Sequence, residues 1–165
     1  IGIVTTEQAR GIGAVGMAAR TSNLNRDIRK SNPYLAYRNL EHEPIVMDSG
    51  DVMARAQLRA DEVVQSIDRV LDMLSKLDYQ AASAAPNLSL VFAPDTLAIS
   101  LVEGWRGEIC HVATTNADGA IDHYKVKDPS FHNWFALALA VRDQEISDFP
   151  ICNKSFNLSY CGNDL

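Results

Sequence analysis

Cysteine is scarce in this sequence, and long apolar runs are missing. The 165 residues include three cysteines, Cys110, Cys152 and Cys161. This odd and sparse set is unlike a secreted disulfide scaffold and favours a reducing compartment. The spacing of Cys152 and Cys161 is not that of a zinc or iron–sulfur site. No stretch reaches the roughly 18 continuous apolar residues of a membrane span, so we expect no membrane span of the chain's own.

Positive charge is also in short supply. The chain has 15 Lys and Arg residues against 21 Asp and Glu residues, which gives a net charge of −6. A nucleic-acid-binding face requires clustered basic residues, and the densest basic stretch, Arg20–Lys30, has the spacing of a solvated surface. We therefore predict no nucleic-acid partner.

Residues 1–47 show no sustained hydrophobic period. Thr5 and Gln8 have the spacing of a capping box at the start of a short helix, but the remainder is expected to be irregular. Because apolar residues such as Val4 and Val15 recur without a period, we expect them to form an exposed patch that docks on another part of a larger protein.

Residues 48–78 carry the strongest periodic signal. Apolar residues recur at spacings of three and four over residues 56–77, which predicts one long amphipathic helix. Asp48 and Ser49 offer side-chain oxygens for its N-terminus. The opposite face, which includes Arg55, is predicted to be solvated.

Strand-forming residues dominate the next part of the chain. Residues 88–127 contain three such runs, and Asp118-Gly119 between the last two predicts a β-hairpin. Residues 130–165 are predicted to form short helices. The fold class is therefore α+β: one long amphipathic helix, a small antiparallel β-meander and short C-terminal helices, in a single domain 1–165.

Three histidines, His111, His123 and His132, are candidate metal ligands, but such ligands must converge on one ion. His111 and His123 do not face each other in either register that the hairpin allows. The shorter loop pairs His123 with Thr114, and the longer loop pairs it with Val112. We therefore predict no metal site at these histidines.

The segment Glu103–Glu108 (EGWRGE) is the strongest candidate site. Two glycines flank Arg106 between two predicted strands, and an acid stands on either side. Glycines permit close backbone approach, and a guanidinium held there can address an anionic or oxygen-rich ligand through its planar fork. The other interpretation is a β-turn with a surface ion pair, and the residues alone leave both open.

This segment resembles a motif, E-A/G-P-R-G-E, of the large subunit of energy-converting nickel-iron hydrogenases and of its homologue among the subunits of NADH-quinone oxidoreductases. Four further segments are similar to motifs of that family in the same order. They are Gly13–Arg20 (G-x-x-G-x-x-A-R), Asp27–Arg29 (D-x-R), Gly50–Arg55 (G-D-V-x-A-R) and Tyr124–Asn133 (Y-R-V-K-x-P-S-F-x-N). The resemblance spans essentially the whole chain.

The resemblance implies the C-terminal part of a longer, mostly helical subunit of a membrane-associated electron-transfer complex. Such a complex would lie on the cytoplasmic side of the inner membrane, with other subunits as partners and a quinone as a possible ligand. In the hydrogenases the arginine of the R-G motif overhangs the metal centre, so the resemblance gives Arg106 a catalytic position. Glu103, Glu108 and His132 are weaker binding candidates. Trp105 replaces the proline of the motif.

The C-terminal segment departs from the family pattern. Residues 155–165 line up with S-L-D-P-C-x-x-C-T-D-R, which places the two metal-binding cysteines on Ser159 and Gly162. The acid of the motif falls on Asn157. Thiolates hold nickel and iron, and neither a hydroxyl nor a glycine replaces them. We therefore expect no metal cofactor in this chain, as in the homologue from the quinone oxidoreductases, which has lost the same cysteines.

These expectations combine into one functional hypothesis. The chain is predicted to belong to a hydrogenase-related, complex-I-like oxidoreductase that passes electrons to a quinone-like or other acceptor in the assembled complex, and to be inactive alone. Two alternatives stay open. One is an active nickel-iron hydrogenase large subunit of the formate hydrogenlyase type, whose ligands lie elsewhere. The other is a stand-alone binding or interaction domain that uses Arg106 and the nearby acids.

Overall fold

The structure, a computed structural model, describes residues 1–77 and 91–163, and within them it is an α+β fold, as predicted. The α-helices are α1 (Thr6–Gly11), α2 (Gly16–Arg20), α3 (Ile28–Ser31), α4 (Val52–Ser75), α5 (Ser130–Ala140) and α6 (Phe149–Phe156). The strands are β1 (Leu97–Gly104), β2 (Gly107–Thr115) and β3 (Ile121–Lys127). Short 3-10 helices span Leu35–Asn39, Ile146–Asp148 and Cys161–Asn163.

The N-terminal segment is less irregular than predicted and contributes to the core. Helix α1 opens with the predicted capping box: Gln8 N donates to Thr5 Oγ1 at 3.2 Å, and Thr5 N donates to Gln8 Oε1 at 2.9 Å. Val4 and Val15 are buried within the chain, so the prediction that they form an exposed docking patch is wrong. Ile1, by contrast, is half-exposed.

The core lies between α1, α2, α5 and α6 and is built largely of small side chains, which let the helices approach closely. Its buried members are Val4, Ala9, Ala14, Ala18, Ala19, Ala136, Leu137, Ala140, Cys152, Phe156 and Leu158. Most of these residues are alanines, so truncating one of the few large members, such as Phe156, should strongly lower the free energy of unfolding.

Helix α4 begins later than the predicted residue 48. Its N-cap is Asp51, whose carboxylate accepts a hydrogen bond from Ala54 N at 2.8 Å, rather than Asp48 or Ser49. Ser49 instead donates to the Asp51 carboxylate at 3.0 Å. The described helix ends at Ser75, and residue 78 lies outside the described residues.

The burial of α4 departs from what its periodicity predicts in the apolar stripe and at Arg55. The apolar stripe is half-exposed, with Ile67 53% and Leu71 59% accessible. Arg55, assigned to the solvated face, is 1% exposed and is buried with Ala54 and Leu58 in the first turns. The stripe therefore has no cover within the described part of the chain over most of its length.

The three strands form an antiparallel sheet in the order β1-β2-β3. The turn between β2 and β3 is organised by Asn116, whose carbonyl Oδ1 accepts hydrogen bonds from Asp118 N and Ala120 N. Thr114 pairs with His123, so the shorter-loop register is the observed one. The predicted strand region began at residue 88, and residues 88–90 lie outside the described residues.

The C-terminal region forms the short helices that were predicted. Helix α5 packs beside α6 and beside the 3-10 helix Cys161–Asn163. Residues 164–165 lie outside the described range. Among the described helices, none combines the length and the apolar character that crossing a membrane requires.

Candidate functional site

The turn between β1 and β2 carries Arg106 and crosses helix α2 in direct backbone contact. Gly107 has φ +137° and Gly16 has φ +58°, conformations that favour glycine. A Cβ atom on Gly16 would lie 2.2 Å from Gly107 Cα and 2.5 Å from Arg106 O. The glycine of the R-G motif and the second glycine of the Gly13–Arg20 motif therefore form one contact.

Asn133, in α5, fixes this crossing with its buried side-chain amide. Its Oδ1 accepts a hydrogen bond from Val15 N at 3.1 Å. Its Nδ2 donates to Val15 O at 3.2 Å and to Arg106 O at 3.1 Å. The main chain of Arg106 is thus held by α2 and α5 together.

The guanidinium of Arg106 reaches the C-terminal segment. Its Nε donates to the main-chain carbonyl of Asn157, the residue that follows α6 in a left-handed conformation, φ +52°. Arg59 Nη2 donates to the carbonyl of Phe156 at 2.9 Å, and Arg55 Nε donates to Ser155 Oγ at 2.8 Å. We call residues 155–157 the clamped segment, since three guanidiniums bind three consecutive residues.

Arg55 is a structural cation, not a surface charge. Its Nη1 donates to Gly50 O and its Nη2 to Gly2 O, each at 2.8 Å. The guanidinium also stacks over the Phe156 ring, 4.1 Å from its centroid. Burial lowers the pKa of Arg55 to about 10, because its hydrogen-bond partners are neutral oxygens and do not balance its charge.

A buried ion cluster lies on the other side of the turn. Arg20, 1% exposed, pairs with Glu103 at 2.9 Å, Glu62 at 2.8 Å and Asp27 at 3.5 Å. Glu103 also accepts a hydrogen bond from Ile28 N at 3.2 Å. Burial raises the pKa of Glu103 against the opposing charge of Arg20. The prediction of a solvated basic stretch is therefore wrong for Arg20, and Glu103 is not part of a surface ion pair.

Asp27 connects this cluster to Arg29 and His42. Arg29 Nη2 lies 2.6 Å from the Asp27 carboxylate, and His42 Nε2 lies 3.2 Å from it. Burial disfavours the Asp27 carboxylate, but the Arg29 hydrogen bond and the charges of Arg20 and Arg29 outweigh it and lower its pKa to about 2. Burial lowers the pKa of His42, and His42 Nδ1 is buried with no hydrogen-bond partner among the described residues.

A cleft of about 370 Å³ opens onto this cluster. One wall is charged, and the other is formed by the α4 stripe and the exposed indole of Trp105. The lining residues are Arg20, Arg29, Glu62, Val63, Ser66, Ile67, Glu103, Gly104 and Trp105. Arg59 lies over the Trp105 ring, 5.8 Å from its centroid, so the indole stands between the cleft and the clamped segment.

The remaining predicted site residues lie apart from the Arg106 guanidinium bond. Glu108 pairs with Arg26 at 2.7 Å near the surface. His132 is half-buried beside Gly13, and burial lowers its pKa. The structure thus brings Arg106 to the clamped segment, Glu103 to the ion cluster, and Glu108 to a surface ion pair. The binding roles predicted for these residues stay predictions.

The two positions that align with metal-binding cysteines are close to each other but do not fit a nickel-iron centre. Ser159 Oγ accepts a hydrogen bond from Gly162 N at 3.0 Å. A Cβ on Gly162 would lie 2.5 Å from the Cγ of Asp128, so a side chain at this position would require the Asp128 carboxylate to move. Within residues 1–77 and 91–163, no three His, Cys, Asp or Glu residues are grouped to hold a metal.

Sequence reasoning missed the structural role of several residues that belong to its motifs. Asn133 and Ser130 belong to the Tyr124–Asn133 motif, and Ser130 Oγ accepts a hydrogen bond from Ser159 N at 3.0 Å. Arg20 and Arg55 end two other motifs. Arg59 lies outside all five motifs, and no sequence signal separates it from the other charged residues of α4.

The comparisons with known proteins agree with the motifs. The sequence model of the family described as "Respiratory-chain NADH dehydrogenase, 49 Kd subunit" matches residues 1–93. The chain is 29% identical over 157 residues to a carbon monoxide-induced hydrogenase of Rhodospirillum rubrum, covering 95% of this chain and 43% of that protein. It is 27% identical over 162 residues to a subunit of the F(420)H(2) dehydrogenase of Methanosarcina mazei, with the same coverage.

A third relative, a subunit of the NADH-quinone oxidoreductase of Symbiobacterium thermophilum, is 32% identical over 153 residues. That match covers 90% of this chain and 39% of the relative. The chain thus spans 39–43% of the length of these three curated relatives.

Proposed function

This chain belongs to the family of the 49 kDa subunit of respiratory-chain NADH dehydrogenases, and we propose that it is part of a subunit of a hydrogenase-related, complex-I-like oxidoreductase. The complex would be membrane-associated, with this subunit peripheral on the cytoplasmic side and bound to other subunits. Two relatives are named as single subunits of larger enzymes, an F(420)H(2) dehydrogenase and an NADH-quinone oxidoreductase. Their names support a role as one subunit among several.

The observation that carries the proposal is the position of Arg106. Its main chain is held by Asn133, and its guanidinium is directed to Asn157, next to the positions aligned with the family's metal ligands. A pocket shaped by this turn, but without ligands for nickel, can serve as a scaffold or as part of a site for a quinone-like acceptor. In that role Arg106 would donate hydrogen bonds to an acceptor oxygen that gains negative charge on reduction.

Electron transfer would take place in the assembled complex. The described residues hold no cluster of ligands for a redox metal, and the fit at Ser159 and Gly162 is poor, so we derive no step through a nickel-iron centre. What this chain would contribute is the placement of Arg106 and the packing that shields the acceptor from water. The isolated chain is expected to be inactive.

An active nickel-iron hydrogenase is the second candidate, since one relative is named a carbon monoxide-induced hydrogenase. The two candidates differ in metal content. Elemental analysis of the complete purified complex should find no nickel if the proposal is right. One nickel per complex would replace the proposal with the hydrogenase.

The role of Arg106 is tested by turnover in the same complex. Arg106→Ala should lower reduction of a soluble quinone by roughly tenfold or more, the loss expected for one charge-assisted hydrogen bond, while thermal unfolding shifts little. Arg142→Ala, at an arginine outside the turn, is the matched control and should leave turnover unchanged. Normal turnover in Arg106→Ala would return the segment to the alternative of a simple β-turn.

A further inference from the structure

Arg59 and Arg106, two of the three cations at the clamped segment, differ from Arg20, Arg26 and Arg29 because no carboxylate of the described residues forms an ion pair with them. Arg20, Arg26 and Arg29 each lie within 4.0 Å of at least one carboxylate. Within residues 1–77 and 91–163, neither Arg59 nor Arg106 is in such an ion pair; their bonds go to the neutral carbonyls of the clamped segment. Two positive charges therefore meet there without a paired anion.

The two guanidiniums are close enough to affect each other. Burial lowers the pKa of Arg59, and the positive charge of Arg106 lowers it further. The acid that faces Arg59 is Glu62, but Glu62 Oε1 already lies 2.8 Å from Arg20. Like charges held together in a half-buried place destabilise each other unless an anion is bound between them.

Asn157, whose main-chain carbonyl binds Arg106, brings no anion of its own. Its segment resembles the motif S-L-D-P-C, in which an acid stands at the position of Asn157. The Asn157 side chain is neutral, and Arg106 uses the Asn157 main-chain carbonyl instead. Asn157 therefore does not neutralise the positive charge of Arg106, and a bound anion could do so.

Both guanidiniums keep unused donors. Among the described residues, one nitrogen of each donates to a protein partner: Nη2 of Arg59 and Nε of Arg106. Within the described part of the chain, the other guanidinium nitrogens of both residues therefore keep N–H donors for a ligand. Trp105, 52% exposed, adds an aromatic face beside Arg59.

We propose that Arg59 and Arg106, flanked by Trp105, form a binding site for an oxyanion, a carboxylate or phosphate group. Two planar forks suit the oxygens of such a group, and the indole offers a flat surface for an attached ring or chain. The site shares Arg106 with the proposed redox function but does not rest on it. Anion binding is measured without turnover, so each proposal can fail alone.

The test is a titration of the 165-residue chain with inorganic phosphate, in which tryptophan fluorescence reports binding. The chain has two tryptophans, so Trp134→Phe isolates Trp105, the one beside Arg59. A saturable fluorescence change is expected, weakened by sodium chloride because salt screens the attraction. Arg59→Gln and Arg106→Gln should each weaken phosphate binding at least tenfold, and Arg142→Gln, the matched arginine outside the site, should bind phosphate like its parent.

A fluorescence change that does not saturate with phosphate would contradict the proposed site. The same fluorescence change in Arg106→Gln as in its parent would also contradict it. Circular dichroism of each variant verifies that the fold is retained, and Arg106→Lys keeps the charge while removing the fork. A Lys variant that binds between the Arg and Gln levels supports recognition by both charge and shape.

The source of the anion is separated by two further titrations. Acetate in place of phosphate tests whether a lone carboxylate suffices, and saturable competition between the two supports a shared oxyanion site. The same phosphate titration is then carried out on the complete complex. If a partner's carboxylate already occupies the site, the complex should bind phosphate about tenfold more weakly than the chain does. If the natural ligand is a free anion, the complex should bind phosphate as well as the chain does. If neither phosphate nor acetate binds to the 165-residue chain, the proposal is wrong.

Discussion

Gly16 and Gly107 touch through their backbones, so that the start of α2 and the turn that carries Arg106 cross with no side chain between them. The contact joins two motifs that stand about ninety residues apart in the sequence. Glycine is required on both sides, since each residue has a positive φ and each would press a Cβ into the other's backbone.

Gly16→Ala should therefore destabilise the fold by about 2–4 kcal/mol, because the added methyl group meets backbone atoms that cannot turn away. Urea unfolding of the variant measures the loss. Gly11→Ala is the matched control, since a Cβ there meets no atom within 4 Å, and its free energy of unfolding should change by less than about 1 kcal/mol. Equal effects of the two changes would contradict the backbone contact.

Asn133→Ala should cost about 2–4 kcal/mol of unfolding free energy. It removes two buried hydrogen bonds and one partly buried one, and it leaves Val15 N without its Asn133 acceptor. It should also loosen the turn, which amide hydrogen exchange at Arg106 and Gly107 would detect. Asn25→Ala, at an exposed asparagine, is expected to leave both measurements unchanged. An Asn133→Ala protein as stable as its parent would show that the crossing does not depend on this amide.

The site could be predicted in part because turns and motifs are local, whereas ion clusters are not. The Asp118-Gly119 turn predicted the hairpin and left two registers, of which the structure shows the one that pairs His123 with Thr114, and the R-G segment indicated where a cation would lie. The burial of Arg20 depends on acids from the start of α3, from α4 and from β1. No spacing along the sequence reveals that those acids meet.

Helix α4 illustrates the same limit for packing. Its periodicity correctly predicted a helix, because periodicity reports backbone geometry. Which face of a helix is buried depends on the rest of the fold. In this structure Arg55 is buried against the clamped segment, and the apolar stripe is half-exposed. The same difference explains why Arg59 was overlooked: its partner Phe156 lies 97 residues further along the chain.

The ion cluster predicts a specific loss of stability in acid. The folded-state pKa of Asp27, about 2, is below its ordinary value of 3.8, so its ionised form stabilises the fold. That contribution is complete above about pH 4 and is lost as the pH falls towards 2, by about 2 kcal/mol in total. Unfolding free energies of the parent and of Asp27→Asn, measured across this range, should converge as the pH falls.

Asn25→Ala, at an exposed residue without a titratable group, is the control and should instead run parallel to its parent over the same pH range. Because Asp27→Asn disturbs bonds to Arg29 and His42 as well, a direct titration of the parent is the second measurement. Carbon NMR of the Asp27 carboxyl group should give a midpoint near 2. A midpoint at or above the ordinary value would show that the arginines do not hold this carboxylate ionised.

The exposed stripe on α4 predicts that the isolated chain associates through this helix. The stripe consists of Val63, Val64, Ile67, Val70, Leu71, Leu74 and Leu77, each at least 45% exposed. Its residues recur about three or four times in every two turns, a width typical of a helix that faces a bundle rather than a single partner. Contiguous apolar surfaces of this kind promote association in water.

Replacing Ile67, Val70 and Leu74 together by Gln should therefore lower association in sedimentation measurements. The cost in unfolding free energy should stay small, because these side chains are half-exposed in the monomer and glutamine suits a helix. Leu58→Ala on the same helix is the opposite case. Leu58 is fully buried, so its loss should cost about 2–5 kcal/mol without reducing association per folded molecule. If the triple variant associates as strongly as its parent, the contact surface lies elsewhere, and the stripe does not govern how this chain meets other proteins.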